Sequence, residues 1–388
     1  TPAVLGDDTP AVLGDDTPAV LGDDTPELDT TGEESPYLSV PSEDVTREEY
    51  TQAGIDLSAA AATDAQRLRG IHSAAVFEER FATTADKQTF VEEAAADIAE
   101  RAEALDTYHA QLLAAYGDGE RSADRLLRDL AWAGAAADQH QTLADRIEAA
   151  AARSDEVTLS EETQSQLVTL DVEIPALESP VTDALVAGEF ESGTSVYVQA
   201  TGDALVLAAP GESYTRQATL RGERNRSAPN QFIEEAGEDE NPNSLALERA
   251  EELYPGLEVF GPPPLDATSV YGIQGDTAVG SFTAYLDGAT KNIFHEQQLV
   301  NPDTVPVSET VSNSTDGLAL TVETTEATGP MRVTVTADGE PVEGAPLHVA
   351  GATIGTTDAA GQRWVVQPLD GAVVGATVDG ETVSVTLP

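Results

Sequence analysis

The pattern of apolar and polar residues changes along this 388-residue chain and divides it into parts. An acidic repeat occupies residues 1–35, a helical pattern covers 36–155, and mixed strands and helices are predicted over 156–300. After a linker at 301–316, short Val- and Thr-rich segments between Gly and Asp turns indicate a sandwich over 317–388. We therefore predict a multidomain α+β protein with an N-terminal acidic repeat arm, an antiparallel α-helical coiled-coil bundle, a central α+β domain and a C-terminal β-sandwich.

Three long helices are predicted in the helical part. The first spans about 57–81, and the second runs from a cap at Thr84 to Tyr116, where a Gly-Asp-Gly turn ends it. Apolar positions in the second helix recur every seven residues, at Val91, Ile98, Leu105 and Leu112. Those of the third helix, which Ser122 can cap, alternate steps of four and three: Leu126, Leu130, Ala133, Ala137, His140, Ala144 and Ile147. This spacing is typical of a coiled-coil seam, and the short turn makes the two helices antiparallel.

The period changes to two in the central part, which predicts strands. Residues 168–174 alternate, and residues 195–199 and 204–207 flank Thr201-Gly202-Asp203 as a hairpin. A short helix is predicted at 244–254, with further strands at 269–274, 278–286 and 293–300. Residues 217–232 fit neither pattern, and residues 37–41 are either one strand or an extended link.

Residues 1–24 are three identical copies of Thr-Pro-Ala-Val-Leu-Gly-Asp-Asp, and a decayed fourth copy follows at 25–29. Their composition favours a disordered, self-repelling stalk. In the other interpretation each Ala-Val-Leu is a short strand that adds to a sheet edge on a neighbouring subunit, so the arm assembles copies of the chain. The residues of this assembly arm are Val4, Leu5, Val12, Leu13, Val20 and Leu21.

Charge narrows the setting in which the protein works. The chain has 70 Asp and Glu against 19 Lys and Arg, a formal net charge of −51. This much like charge opposes a compact state at ordinary salt, whereas molar salt shortens the Debye length to about 3 Å and screens it. We therefore expect a protein of concentrated brine. The acidic excess argues against nucleic acid and anionic membrane surfaces as partners. The sequence contains no run of about 18 apolar residues, the length that a membrane-spanning helix needs.

Motifs for catalysis are missing from the sequence. It has no cysteine, no Gly-x-Ser-x-Gly elbow, no phosphate loop and no dinucleotide-binding glycine pattern. We therefore predict no catalytic and no cofactor-binding residues, and expect a protein that is not an enzyme. His72, His109 and His140 could meet in the helical bundle around a metal, but no pair has the i,i+4 spacing, and we favour a seam position for His140 and surface positions for the other two.

One segment carries a possible calcium loop. Asp239, Asn241 and Asn243 supply oxygen atoms at positions one, three and five of such a loop, but Ser244 stands where a glycine is expected. A plain solvated turn that caps the following helix at Asn243 is the simpler interpretation. Calcium is therefore the single cofactor that the sequence leaves open.

Arg216, Arg221, Arg224 and Arg226 form the only basic island of the chain. They either make ordinary local salt bridges or form a docking patch for acidic partners, such as the aspartate pairs of another copy's repeats; the sequence does not decide between the two. Two glycosylation sequons begin at Asn225 and Asn313 and agree with export.

Three resemblances bear on function. The helix 244–254 followed by Pro255-Gly256, together with the later Tyr285-Leu286-Asp287-Gly288 turn, resembles a PepSY-type module over about 244–298. That family implies an exported, non-catalytic module that binds or restrains partner proteins. The Gly-x-Pro-Val-x-Gly-Ala and Thr-Asp-x-x-Gly pieces at 339–361 resemble carboxypeptidase regulatory-like and Ig-like domains over about 330–388, which implies a structural or adhesive spacer. The whole order is similar to uncharacterised haloarchaeal exported surface proteins, which implies no activity.

These observations lead to an expected function. We expect a non-enzymatic extracellular structural protein of a halophilic archaeon, a filament, surface-layer or adhesion subunit that assembles with itself through its N-terminal repeats. The chain begins at Thr1 without methionine, so a removed signal peptide and secretion to the cell surface are expected. Other surface proteins are possible partners. The alternative is an exported protein-binding or protease-restraining module, and a carboxylate-based hydrolase has no motif to support it.

Overall fold

The computed structural model describes residues 38–52, 54, 57–190, 193–237, 240–255, 258–260 and 269–388. The predicted repeat arm, with its six assembly residues, lies outside these ranges. In the described part, a helical layer covers one face of a large antiparallel sheet, and a β-sandwich follows at the C-terminal end. The mixed α+β class and the C-terminal β-sandwich are confirmed.

Five helices form the helical layer: α1 (Leu57–Thr83), α2 (Lys87–Gly117), α3 (Ala123–Ala152), α4 (Glu161–Glu173) and α5 (Pro180–Ala187). All the seam positions predicted in α2 and α3 are buried, because their spacing keeps them on one side of each helix. Helix α3 packs along both α1 and α2, whereas α1 and α2 touch each other little. Asp86, not Thr84, caps α2 by accepting the Thr89 N–H at 3.1 Å. The supercoil of a coiled coil stays a prediction.

The strand predicted at 168–174 is wrong, because residues 168–173 form the end of α4 and Ile174 caps that helix. Ser160 caps this helix by accepting the Thr163 N–H at 3.2 Å. Leu167, Leu170 and Ile174 are spaced by three and four and are buried together in the helical core. The local alternation of apolar and polar residues therefore hid a helical face.

The central sheet has eight antiparallel strands in the order β1-β2-β3-β4-β8-β7-β6-β5. Their bounds are β1 Arg47–Gln52, β2 Ser195–Ala200, β3 Ala204–Pro210, β4 Tyr214–Leu220, β5 Glu258–Phe260, β6 Val270–Asp276, β7 Gly280–Asp287 and β8 Ile293–Val300. The predicted hairpin and the three later strands are confirmed. The ambiguous stretch 217–232 contains the end of β4, a short 3-10 turn and the start of α6 (Gln231–Glu235).

Both faces of the sheet are covered. Val198 and Leu207 point to α2 and α3, and the opposite face packs against α6, α7 (Pro242–Leu253) and the segment after the arm. That segment follows the extended-link interpretation: residues 38–41 form no strand, and a 3-10 turn follows at Ser42–Asp44. Strand β1 was not predicted, because its half-exposed polar sequence carries no apolar alternation.

The sandwich contains two sheets. One holds β9 (Glu309–Thr315), β10 (Leu318–Thr324), β11 (Pro330–Ala337), β12 (Glu340–Pro341) and β15 (Gln362–Val366). The other holds β13 (Pro346–Val349), β14 (Ala352–Thr356), β16 (Val373–Val378) and β17 (Glu381–Thr386). Asp-Gly pairs with positive φ angles at both residues make three of the hairpin turns, at 316–317, 338–339 and 379–380. Strand β9 lies inside the segment predicted as a linker and is an exposed edge strand.

Candidate anchor site for the N-terminal arm

An ion pair is buried at the centre of the molecule. Arg216 on β4 and Glu296 on β8 have no exposed side-chain surface, and Nη1 of Arg216 lies 3.3 Å from Oε1 of Glu296. A buried charge is tolerated only when it is paired and hydrogen-bonded. The hydrogen-bond partners of Arg216 and Glu296 therefore show which parts of the chain this ion pair connects.

The ion pair binds the backbone of Leu38, the first described residue after the repeat arm. The Leu38 N–H donates to Oε1 of Glu296 at 3.0 Å, and the Leu38 carbonyl accepts from Nη2 of Arg216 at 2.7 Å. The Leu38 side chain is buried in the core on the same face of the sheet. Both backbone groups of Leu38 and its side chain are thus fixed, so residue 38 is a firm anchor for the chain that precedes it.

The remaining oxygen of Glu296 connects the pair to α7. Tyr254, at the C-terminal end of α7, donates to Oε2 of Glu296 at 2.6 Å, and Gln298 donates to Oε1 at 3.0 Å. Burial raises the pKa of Glu296 above its usual value, and the charge of Arg216 together with these donors offsets only part of that rise. Every partner described for the carboxylate is a donor, which suits its ionised form.

The third nitrogen of Arg216 reaches the sandwich. Nε donates to the hydroxyl of Thr328 at 3.2 Å, and the hydroxyl of Tyr214 donates to the Thr328 carbonyl. Thr328 lies in the loop between β10 and β11, is buried, and has a φ of 58°, a region that β-branched residues rarely adopt. Arg216 thus binds the segment after the arm, the central sheet and the sandwich with three different nitrogen atoms.

The other three arginines of the basic island join the helical layer to the sheet. Arg221 binds Asp106 of α2 through two bonds of 2.8 and 2.9 Å, and Arg226 binds the same carboxylate at 2.7 Å. Burial by itself raises the pKa of Asp106, but the hydrogen bonds and charges of the two guanidinium groups outweigh it and hold the pKa well below the usual range. The ion pair is therefore strongly favoured in its charged form.

Arg224 extends this network. It lies 3.3 Å from Glu173 at the end of α4 and 3.1 Å from Asp287 at the end of β7, and Glu173 also accepts from Arg226. The structure does not bring the four arginines into one surface, because Arg216 is buried on the face of the sheet that is opposite the helical layer of α1 to α5. All four make internal ion pairs between distant parts of the chain. Docking of acidic repeats on them stays a prediction, because the repeats lie outside the described residues.

The metal group considered for His72, His109 and His140 is not seen in the described residues, and the surface position expected for His109 is wrong, because its ring is buried between α2 and the sheet. His109 on α2 is close to His295 on β8, where Thr219 and Gln297 contact the two ring nitrogens of His295 at 2.8 and 3.0 Å. Burial lowers the pKa of His109 to about 4 and that of His295 to about 3, so both rings are neutral at pH 7. His72 is exposed on α1, and His140 is buried on α3. No group of three or more His, Asp or Glu residues arranged to hold a metal occurs in the described part of the chain.

The other predicted sites are scattered. Asp239 lies outside the described residues, and Asn241 caps α7 by accepting the Asn243 N–H at 3.0 Å, so the cap is Asn241 and not Asn243. Asn225 is exposed, and its side chain accepts from Ser227 and Ala228 in a tight turn. Asn313 is exposed on β9 and donates to the Ser384 carbonyl at 2.8 Å.

Comparison with known proteins finds three families. Residues 6–194 match a domain of unknown function, DUF7096, residues 196–306 match a family of unknown function, DUF7094, and residues 309–385 match the archaeal fibronectin-III type-like domain. No curated protein and no solved structure matches the chain. Within the described helices, none is long and apolar enough to cross a membrane. The matches support an archaeal origin for a chain whose C-terminal sandwich is similar to fibronectin-III-like domains.

Proposed function

We propose that this protein is a non-enzymatic extracellular structural protein of a halophilic archaeon, which assembles with itself through its N-terminal repeats. In this proposal the repeat arm is the intersubunit connector, and the described residues are the body that carries it. The assembly is a filament, a surface layer or an adhesion stalk.

The observation that carries the proposal is the anchorage of Leu38. A connector must transmit force from its attachment point into the body of each subunit. Leu38 is held at both backbone groups by Arg216 and Glu296, and Arg216 also binds Thr328 of the sandwich. A force on the arm would therefore be transmitted through Leu38 and Arg216 to both the central sheet and the sandwich.

The charge of the chain supports the proposal that the protein works in concentrated brine. A net charge of −51, with two lysines among 388 residues, suits brine in which the charge is screened. The fibronectin-III-like sandwich agrees with a spacer at a cell surface. The neutral buried histidines and the internally paired arginines act in packing, which agrees with a body that has a structural task.

The alternative retains the PepSY-like resemblance of residues 244–298. There α7 and strands β6 to β8 would bind or restrain another exported protein, and the helical layer would be a rigid arm. The two functions differ in what the repeats do, because only the structural proposal requires them for assembly.

The test compares the full chain with a version that lacks residues 1–32, in about 3 M KCl, which screens the charge. Light scattering gives the mass and electron microscopy the shape. Circular dichroism on both proteins is the control for folding. Polymers from the full chain and monomers from the shortened chain support the proposal. Monomers from both contradict it and favour the protein-binding alternative.

A further inference from the structure

The two glycosylation sequons lie in different local structures. Residues 225–227 belong to a tight turn between β4 and α6, whereas residues 313–315 lie in strand β9. Attachment of a sugar uses the side-chain Nδ2 of the asparagine, because the new bond forms at that atom. The hydrogen-bond partners of the two Nδ2 atoms therefore indicate which sequon is open to modification in the folded protein.

Three donors orient the side chain of Asn225. Its Oδ1 accepts from the Ser227 N–H at 3.2 Å, from the Ala228 N–H at 3.2 Å and from the Ser227 hydroxyl at 3.0 Å. Backbone N–H groups only donate, so the side-chain oxygen must face them and Nδ2 is turned away from the turn. Asn225 is exposed, and its Nδ2 has no hydrogen-bond partner among the described residues.

Ion pairs hold this turn on both sides of Asn225. Arg224 pairs with Asp287 at 3.1 Å, and Arg226 pairs with Asp106 at 2.7 Å. The backbone N–H of Asn225 itself donates to Asp287. The turn is therefore fixed by contacts with α2 and with the end of β7, and its shape is pre-organised for an enzyme that binds it.

The hydroxyl of Ser227 has a chemical part in this arrangement. It donates to the Oδ1 of Asn225, in addition to the two backbone donors. Hydrogen bonds donated to an amide oxygen polarise the amide, which makes its N–H protons more acidic. Loss of a proton from Nδ2 becomes easier as this nitrogen forms its bond to the sugar.

The Nδ2 of Asn313 is already used inside the sandwich. It donates to the Ser384 carbonyl of β17 at 2.8 Å, and the Oδ1 of Asn313 accepts the Ser314 N–H at 2.9 Å. In the described part of the chain, no hydrogen bond joins the Thr315 hydroxyl to Asn313. To react, Asn313 would have to give up a hydrogen bond between β9 and β17 that belongs to the fold.

We infer that Asn225 is a glycosylation site of the folded protein and that Asn313 is left unmodified. The donor is a sugar whose C1 is activated by a bond to a phosphate group. A bond forms between Nδ2 and C1 as the bond between C1 and the phosphate oxygen breaks. The phosphate keeps the electron pair, and Nδ2 loses one proton to a base of the transferase. The inference rests on the extracellular location in the proposed function and is independent of assembly through the repeats.

The test uses the full chain, produced in a halophilic archaeon and recovered from the outside of the cells. Mass spectrometry of the intact protein and of its peptides measures glycan occupancy, and the glycosylated proteins of the same cells show that the donor is present. We expect a glycan on Asn225, with an occupancy that falls at least tenfold in Ser227→Ala. The matched controls Ser227→Thr, which keeps the hydroxyl, and Asn313→Gln should leave the occupancy of Asn225 unchanged. Circular dichroism checks that each variant folds.

Three results would overturn the inference. The first is an occupancy of Asn313 equal to or above that of Asn225, which would mean that transfer does not depend on the fold. The second is an extracellular chain without a glycan on Asn225, and the third is an unchanged occupancy in Ser227→Ala. In these cases the proposed function stands if the full chain still polymerises through residues 1–32. Retention of the chain inside the cells would reject the extracellular location together with this inference.

Discussion

Arg216 and Thr328 are 112 residues apart in sequence, and a hydrogen bond of 3.2 Å joins the Nε of the first to the hydroxyl of the second. Arg216 has no exposed side-chain surface, and Thr328 holds a left-handed backbone conformation. Such a conformation persists only where the surroundings fix it. The contact therefore belongs to a joint between the sandwich and the central sheet, and the surrounding residues hold this joint in one conformation.

Replacing the arginine of this joint should destabilise the whole body. Arg216→Met leaves Glu296 buried without its cation, a change that costs about 3–5 kcal/mol in free energy of unfolding. Urea unfolding in about 3 M KCl measures it. The control is Arg332→Met, which breaks a half-exposed pair with Glu323 and should cost less than about 1 kcal/mol.

The double variant Arg216→Met with Glu296→Met separates two explanations for such a loss. If the unpaired carboxylate causes most of the loss, the double variant recovers a large part of it, because no charge is left buried. Equal losses in the three proteins (Arg216→Met, the double variant and Arg332→Met) would contradict the role assigned to the joint.

The buried histidine on β8 should make stability depend on pH. The folded pKa of His295 is about 3, below its unfolded value of about 6.5, so between these values the unfolded chain binds the extra proton. The contribution of His295 to the free energy of unfolding is therefore fully present above about pH 6.5 and is lost as the pH falls toward the folded pKa. His295→Gln should reduce the slope of unfolding free energy against pH by up to about 1.4 kcal/mol per unit between pH 4 and 6. Parallel curves for the two proteins would refute this.

Glu178 has the opposite dependence. Burial, together with the nearby Asp138 and Asp183, raises the pKa of Glu178 to about 7 in the fold, so the folded state holds the proton more tightly than the unfolded chain. Its contribution is present at low pH and lost as the pH rises through about 7. Because the side chain is partly exposed and salt screens it, we expect Glu178→Gln to gain only about 1 kcal/mol at pH 8.

The same variant should have almost no effect at pH 5, where Glu178 is already protonated in the fold. Unfolding by urea at the two pH values measures the difference between the variant and the unchanged chain. A gain of equal size at both values would show that charge is not its cause.

Regular periodicity made the long helices predictable. The seven-residue spacing in α2 and the alternating steps in α3 place each seam on one side of a helix, and the structure buries all of those positions. Helix α4 was missed because a seven-residue window at 168–174 alternates by chance, while Leu167, outside that window, completes the helical face.

The anchor site could not be predicted from local patterns. Leu38, Arg216 and Glu296 are separated by 178 and 80 residues, and no spacing rule connects them. The one local signal is in β8, where His295, Glu296 and Gln297 interrupt an apolar strand and indicate a buried polar group. The basic island was visible in the sequence, but its partners Asp106, Glu173 and Asp287 come from three distant elements that only the fold brings together.

The most direct test of the central claim is the mass of two full-length chains in about 3 M KCl, measured by light scattering. One has the native repeats, and in the other the residues within each of the three octapeptides are permuted, so length, composition and the charge of −51 are unchanged. The account predicts polymers from the native chain and monomers from the permuted one. Equal masses would contradict it, because the order of the repeats would then have no part in assembly.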